Sequence, residues 1–443
     1  MKKYVYLFIF ALLAITILLT SCGNLFQNYS EGLEYKLTED GTGYIVVGIG
    51  DFSGKDLIIP AEYQGKPVLE IGNNAFANSE IESVKLPKGL KIIGYYAFES
   101  SNINEISIPN SVEIISDYAF RGCLQLAEMT IGSGVTEIGF SALASTGVKR
   151  FQVSLFNSNF KSLGGNLYTK DGKKLIQYAC GNEATSFKVP WGVEIIGPYS
   201  FEGARNLEKL TMSNTVKIIE EGAIGYMDIK HLDLGNGLKA IGNLNIVRCE
   251  NLECVKIPDS VKTMGIRMFS FSINLEEVYL GKNVANLPEE IFENTPSLVK
   301  IFVNDKNPNY KSVDGNLYTK DGKSLIRYAP GRTDTEFVVP MGVEIIEKSA
   351  FYDAGYLEKV TLQMGVKRIS EYAFGACISL KTIDLPFTVT SIGSQAFLFC
   401  DSLEVINYDS TQNAFRQISK HSGWDYRINN RCVILCIDGE YKR

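Results

Sequence analysis

Ile71–Phe76 reads IGNNAF, Ile93–Phe98 reads IGYYAF and Ile115–Phe120 reads ISDYAF. Looser copies of this phrase end at Leu143, Phe201, Ile224, Ile246, Phe269 and Phe292. Three more, IEKSAF, ISEYAF and IGSQAF, end at Phe351, Phe374 and Phe397. The ends of these twelve copies fall 22 or 23 residues apart, except for two gaps of 58 and 59. A fixed period of this length belongs to a stacked-coil architecture, in which each coil contacts only its neighbours. The predicted fold class is therefore a β-rich solenoid of about twelve repeats, and the 443 residues need not divide into separate globular domains.

A second pattern runs between the phrases: an apolar residue, two others, then two alternating apolar residues followed by Pro or Gly. Examples are IESVKL from Ile81, LECVKI from Leu252, LEEVYL from Leu275 and LEKVTL from Leu357. The alternation predicts one short strand per coil with its apolar side inward. A stretch such as Ser111–Ile115 predicts a second extended segment, and the phrase itself is expected to round the bend as a helical turn. No coil buries its apolar side alone, so stability must come from stacking.

Two near-identical inserts fill the long gaps: GNLYTKDGKKLIQYACG from Gly165 and GNLYTKDGKSLIRYAPG from Gly315, 150 residues apart. Each reads as a strand, a DG turn and a strand, that is, a β-hairpin. Each is followed by a segment, FKVP at Phe187 or FVVP at Phe337, expected to rejoin the stack. Such inserts either carry binding groups or only widen one coil. Residues 35–70 are expected to form an N-terminal β cap of a hairpin plus a strand, and 71–402 the solenoid, with inserts near 160–187 and 310–337. Residues 403–443 are expected to close it as a C-terminal cap anchored by Trp424.

The first residues carry a different message. Lys2 and Lys3 precede an apolar run from Tyr4 to Leu19, short for a membrane span and suited to export. The run ends Leu19-Thr20-Ser21-Cys22. This resembles a bacterial lipobox, which implies a signal peptide over 1–21, cleavage after Ser21, acylation of Cys22 and a tether over 22–34. The alternative is an ordinary signal peptide with an incidental cysteine. Acyl chains would hold the exported protein on the bacterial membrane, each buried methylene contributing about 0.8 kcal/mol.

Taken together, Ile108-Pro109-Asn110-Ser111-Val112 through Phe120-Arg121-Gly122-Cys123, the similar stretch from Ile383 to Leu403, the inserts and the tail resemble the BspA-type leucine-rich-repeat surface proteins of bacteria. That resemblance implies a right-handed leucine-rich-repeat solenoid on the cell surface, often lipid-anchored. It also implies a function in protein binding or adhesion to host matrix or to other cells. The family shares no catalytic motif, so no catalytic residue carries over. A carbohydrate-capture or scaffold component of the envelope is the alternative.

Composition narrows the remaining choices. The net charge of −6 and a pI near 5.4 argue against nucleic acid as a partner. Two histidines, His231 and His421, leave little material for a metal site or a general base, and no nucleotide or hydrolase motif is present. No enzyme activity, metal or cofactor is expected. Cys123, Cys249, Cys377 and Cys400 share one repeat position and read as a buried column. Cys377 and Cys400 fall within disulfide distance, although parallel side chains suit the bond poorly.

The candidate binding surface is the row of outward strand positions, expected to form a concave, extended face for an extracellular macromolecule, protein before saccharide. Its candidate residues are Glu208, Lys209, Glu276, Tyr279, Lys300, Phe302, Glu358 and Lys359, with Tyr279 and Phe302 as aromatic anchors on adjacent strands beside the second insert. The competing reading is a solvated sheet face whose Glu and Lys ladders serve solubility.

Overall fold

A computed structural model describes residues 29–288 and 290–442. The expected signal peptide at 1–21, the acylated Cys22 and the first half of the tether lie outside the described residues, as does Glu289. The chain divides into two units: Met1–Asp171 with Ala179–Asn182, and Gly172–Tyr178 with Glu183–Arg443.

Each unit is a β-solenoid in which two short strands per coil stack into two parallel ladders. In the first unit, Tyr44–Gly48, Lys66–Ile71, Ile92–Ile93, Ile114–Ile115 and Glu137–Ile138 make one ladder. Asp56–Ile58, Ser83–Lys85, Glu105–Ser107, Glu128–Ile131 and Arg150–Val153 make the other. The predicted leading hairpin is present, with Glu34–Leu37 antiparallel to Tyr44–Gly48. Its end is sealed by tyrosines, Tyr35 stacking on Tyr63 at 3.9 Å with Tyr44 edge-on to both. The cap begins earlier than residue 35. The Ser30 amide donates to Ile58 O, Leu33 is buried, and Glu34 is already in the strand, so 30–34 do not serve as a tether.

In the second unit the corresponding short-strand ladder runs from Lys174–Gln177 to Thr263–Met264. It resumes at Ser324–Arg327 and continues through Ile345–Ile346, Arg368–Ile369 and Ser391–Ile392 to Ser419–Lys420. The second insert is an antiparallel meander of three strands, Tyr310–Val313, Asn316–Thr319 and Ser324–Arg327, one strand more than the predicted hairpin. Its third strand enters the parallel ladder, so the insert is itself a coil. Ser186–Lys188 and Glu336–Val338 rejoin the stack as expected.

The cap expected over 403–443 keeps the solenoid's register. Val405–Tyr408 pairs in parallel with Thr382–Leu385 and with Val433–Cys436, and only Gly439–Tyr441 turns antiparallel. Among the described residues Gln412–Gln417 is the one α-helix, capped by Thr411 accepting from the Ala414 amide at 3.2 Å. Trp424 packs edge-on against Phe397 and Phe415, as its expected anchoring role requires. Phe415, fully buried, stands at the centre of that cluster.

The phrases do not form helical turns. Each bend is a chain of β-turns with left-handed residues two positions before and after the ring, for example Tyr96 (φ 55°) and Ser100 (φ 54°) about Phe98. The reason lies in alternation of the amides. Ala97 and Glu99 donate within the coil, to Gly94 O and Tyr96 O, while Tyr96, Phe98 and Ser100 donate along the axis to Asp117 O, Ala119 O and Arg121 O. Every second N–H must therefore turn out of the coil, and a right-handed helix cannot do that. A left-handed non-glycine residue costs about 1 kcal/mol. The axial bonds offset that cost by giving these amides acceptors in the next coil.

Side chains reinforce the stack. Asn73, Asp117 and Asn243 each accept, through Oδ1, the amide of a residue one coil on: Tyr95 at 3.0 Å, Phe140 at 2.7 Å and Ile266 at 3.1 Å. The residue before each of those amides is glycine. At Gly94 a Cβ would stand 2.7 Å from Ile71 O and 2.8 Å from Asn73 Oδ1, so glycine is required at that position. Rings stack at the strand spacing: Phe76 on Phe98 and Phe98 on Phe120 at 5.3 Å in the first unit, Phe351 on Phe374 at 4.8 Å and Phe374 on Phe397 at 5.4 Å in the second. Two coils that the phrase count missed carry tyrosine in this place. Tyr178 stacks on Phe201 at 5.2 Å and Tyr328 on Phe351 at 5.3 Å.

The cysteine column is buried as expected. Each thiol donates to the carbonyl of the ring residue, or its Ile substitute, one coil back: Cys123 to Phe98 O at 2.9 Å, Cys249 to Ile224 O at 3.3 Å, Cys377 to Phe351 O at 3.1 Å and Cys400 to Phe374 O at 3.0 Å. Cys377 and Cys400 are reduced and form no disulfide. Burial pushes the thiol of Cys123 up to about 11 and that of Cys249 up to about 12.

Truncating Phe374 to Ala is expected to cost about 3–5 kcal/mol in denaturant unfolding, because it opens a cavity between two flanking rings. A cost below about 1 kcal/mol would mean that the ring column is not a principal source of stability. The buried thiols set a pH limit. Their folded values lie above the ordinary thiol value of 9.0, so the stability tied to their protonated form is complete below that value and is lost as the pH rises toward 11 and 12. Alkylation of the native protein near pH 8 should accordingly mark exposed Cys254 and leave Cys123, Cys249, Cys377 and Cys400 untouched until denaturant is added.

Candidate functional site

All eight candidate binding residues fall in the second unit, on or beside the outward positions of the longer strands. Glu208, Lys209, Glu276, Lys300 and Glu358 are exposed, and Tyr279, Phe302 and Lys359 are half-buried. The outward direction follows from the pleat. Val278 and Ile301 point inward with no exposure, so their neighbours Tyr279 and Phe302 must point out.

The strand register brings the two aromatics together. Glu277–Leu280 pairs in parallel with Lys300–Val303, placing Tyr279 opposite Phe302. Their rings stack with centroids 4.4 Å apart and planes 14° from parallel. Lys256 Nζ lies 5.1 Å from the Tyr279 centroid, from the adjoining strand Cys254–Lys256. The Tyr279 hydroxyl donates to Glu277 Oε2 at 2.9 Å, and that bond raises its phenol above the ordinary value. A cation, two stacked rings and a carboxylate thus share one patch, a composition able to take both an apolar and a charged group from a partner.

Several of the other candidates already have partners one coil away. Glu208 accepts from Lys230 at 2.8 Å and Glu358 from Lys381 at 2.8 Å. Lys359 lies 3.2 Å from Asp384, which also accepts from Asn407 Nδ2 at 2.7 Å. The same motif recurs at the short-strand bends, where Glu344 is shared by Lys323 and Lys367 at 3.2 and 2.7 Å, and its carboxyl is held below the usual range mainly by Lys367. Axial pairing therefore accounts for much of the charge ladder, and Glu208, Glu358 and Lys359 act first as cross-coil contacts. His231 is exposed on its strand, beside Asp233, and is not part of the aromatic patch.

Sequence reasoning missed one group. Arg327, Tyr352 and Glu293 line a groove of about 530 Å³ beside the second insert. A signal was present: counting one period of 23 back from Ala350 lands on Arg327, a long cation where most phrases have alanine.

A profile described as the BspA type leucine rich repeat region matches in six copies, over residues 55–174, 176–299 and 333–422. Among solved structures, the chain is similar to a leucine-rich repeat protein from Eubacterium ventriosum (21% identity over 84% of this chain and 94% of that one, TM-score 0.46). It is also similar to one from Bacteroides ovatus (21%, 93% and 100%, TM-score 0.43) and to a leucine rich cell surface protein from Faecalibacterium prausnitzii (20%, 89% and 97%, TM-score 0.37). No curated protein matches the chain.

Because the Glu358–Lys381 pair is exposed on both sides, replacing Glu358 with Gln is expected to leave the melting temperature unchanged within error. A clear fall would show that these axial pairs hold the coils together.

Proposed function

The chain belongs to the BspA-type leucine-rich-repeat family, and from that premise we propose that it is a protein-binding repeat protein displayed on a bacterial surface, held there by acyl chains on Cys22 and engaged in adhesion to host matrix or to other cells. It acts as a binding scaffold rather than as an enzyme. The observation that carries this reading is the Tyr279–Phe302 stack with Lys256 against it, an outward aromatic pair on a face where Glu208 and Glu358 are already paired along the axis. Aromatic anchors of this kind supply most of the energy of a protein interface.

Two measurements test the reading. Binding of the full chain to matrix proteins and to whole bacterial cells should saturate at physiological salt. Replacing both Tyr279 and Phe302 with Ala should weaken it about ten-fold or more while the unfolding midpoint stays close to that of the parent. Binding indifferent to the double replacement would remove the patch from the mechanism. Separately, metabolic labelling with a fatty acid should mark the exported protein and vanish on Cys22→Ser. Persistent label on that variant would place the anchor elsewhere, and absence of label on the parent would refute lipidation.

A further inference from the structure

The groove beside the second insert owes its existence to a shortened bend. Leu325 occupies the ladder place of Ile346, with which it pairs in parallel. Phe351 follows Ile346 by five residues, but Tyr328 follows Leu325 by three. The left-handed residue that precedes the ring in a regular phrase is missing, although the Tyr328 amide keeps the axial bond of the ring place by donating to Ala350 O. Arg327 adds a bridge between coils with its side chain. Nη1 donates to Ser349 O at 2.6 Å in the coil ahead, and Nη2 donates to Phe292 O at 3.1 Å in the coil behind. In the first insert, Gln177 stands at the equivalent place and its Nε2 donates to Ser200 O at 2.9 Å.

Two polar atoms of the groove are left over. Arg327 is 5% exposed, and its Nε–H is buried without an acceptor. Glu293 Oε2 is buried without a donor. It lies 3.3 Å from Arg267 Nε, but that N–H is directed to Glu290 at 2.8 Å, so Glu293 gains charge compensation and no hydrogen bond. Tyr352 lines the same groove as both residues, and its phenol is raised by burial first, then by Asp353 and Glu293, and is lowered by Arg327. A buried donor and a buried acceptor left unmet in a walled groove are costly unless something binds there.

We propose that this groove is a binding site for a neutral saccharide, one or two sugar units in size, whose hydroxyls accept from Arg327 Nε and donate to Glu293 Oε2 while a ring face lies against the groove's tyrosines. The chemistry selects that class. Glu290, Glu293 and Glu347 share the groove with Arg327 and Lys348, so its lining carries both signs of charge and offers no single-sign field to select an ion over a neutral ligand. Burial lowers Arg327 only to about 10, so it stays charged near neutral pH. A hydroxyl both donates and accepts on one atom, which matches one orphan of each kind. Tyr310 and Tyr352, both half-buried, supply the aromatic surface on which the C–H face of a sugar packs. The volume of about 530 Å³ lies within the range of small-ligand sites. None of these residues belongs to the outward strand face, so the site is separate from the proposed protein-binding patch.

The test is isothermal titration of the full chain with cellobiose, maltose, lactose, xylobiose and chitobiose at millimolar concentration, alongside a panel of short peptides. At least one saccharide should bind saturably. Glu293→Gln, which keeps size and removes charge, and Arg327→Gln, which installs the residue of the first insert, should each weaken it about ten-fold or more. The Tyr279→Ala and Phe302→Ala pair should leave it unchanged. Failure of all five sugars to bind, binding insensitive to both groove variants, or peptides that fill the groove in their place would each overturn the proposal. Should Arg327→Gln unfold, Glu293→Gln alone decides.

Discussion

Everything in this protein depends on backbone hydrogen bonds directed along the axis from one coil to the next. A 22- or 23-residue coil is too small to bury its own apolar side, so each amide that does not close a turn within the coil must find a carbonyl in the neighbour. At the strands the parallel ladder meets that demand. At the bends it is met by alternation, with Tyr96, Phe98 and Ser100 donating outward while Ala97 and Glu99 donate inward. The left-handed residues, the glycines under close carbonyls and the Asn and Asp side chains that accept an amide of the next coil are consequences of that one requirement.

The same constraint sorts side chains into columns. Once the backbone repeats at the strand spacing, any residue at a given place lies directly over its counterpart, and identical side chains must be compatible at about 5 Å. Phenylalanine meets this by stacking and the thiols by donating to a carbonyl one coil back. Charges do so by alternating sign, as in Glu358 with Lys381. Where a column breaks, a specific replacement appears: Tyr328 for the ring and Arg327 for the missing turn. Function on such a scaffold is expected where the columns are interrupted or turned outward, since the regular places are already occupied by cross-coil contacts. The aromatic stack of Tyr279 and Phe302 is the outward case, and the groove at Arg327 is the interrupted one.

Much of this was legible in the chain. The spacing of the phrases announced the solenoid. The alternation in segments such as LEEVYL from Leu275 assigned Val278 inward and Tyr279 outward, and the common offset of Cys123, Cys249, Cys377 and Cys400 placed them in a buried column. The opposition of Tyr279 and Phe302 was legible too, because a parallel register of one period brings residues 23 apart face to face. The helical turns expected at the bends are β-turns instead, because local propensity does not reveal whether an amide will bond within its coil or to the next one.

The amino-acid sequence by itself determined the period and the inward and outward places of each strand, because these are local or strictly periodic and recur along the chain. Tertiary structure alone decided what happens where the period fails. The inserts became coils with Tyr178 and Tyr328 in the ring place, the residues just before 35 joined the cap, and Arg327 bridged two coils with one nitrogen left unmet. The physical reason is that such contacts depend on which carbonyl, at a distance of one coil or more along the chain, is left exposed by a missing turn, and no local pattern records that.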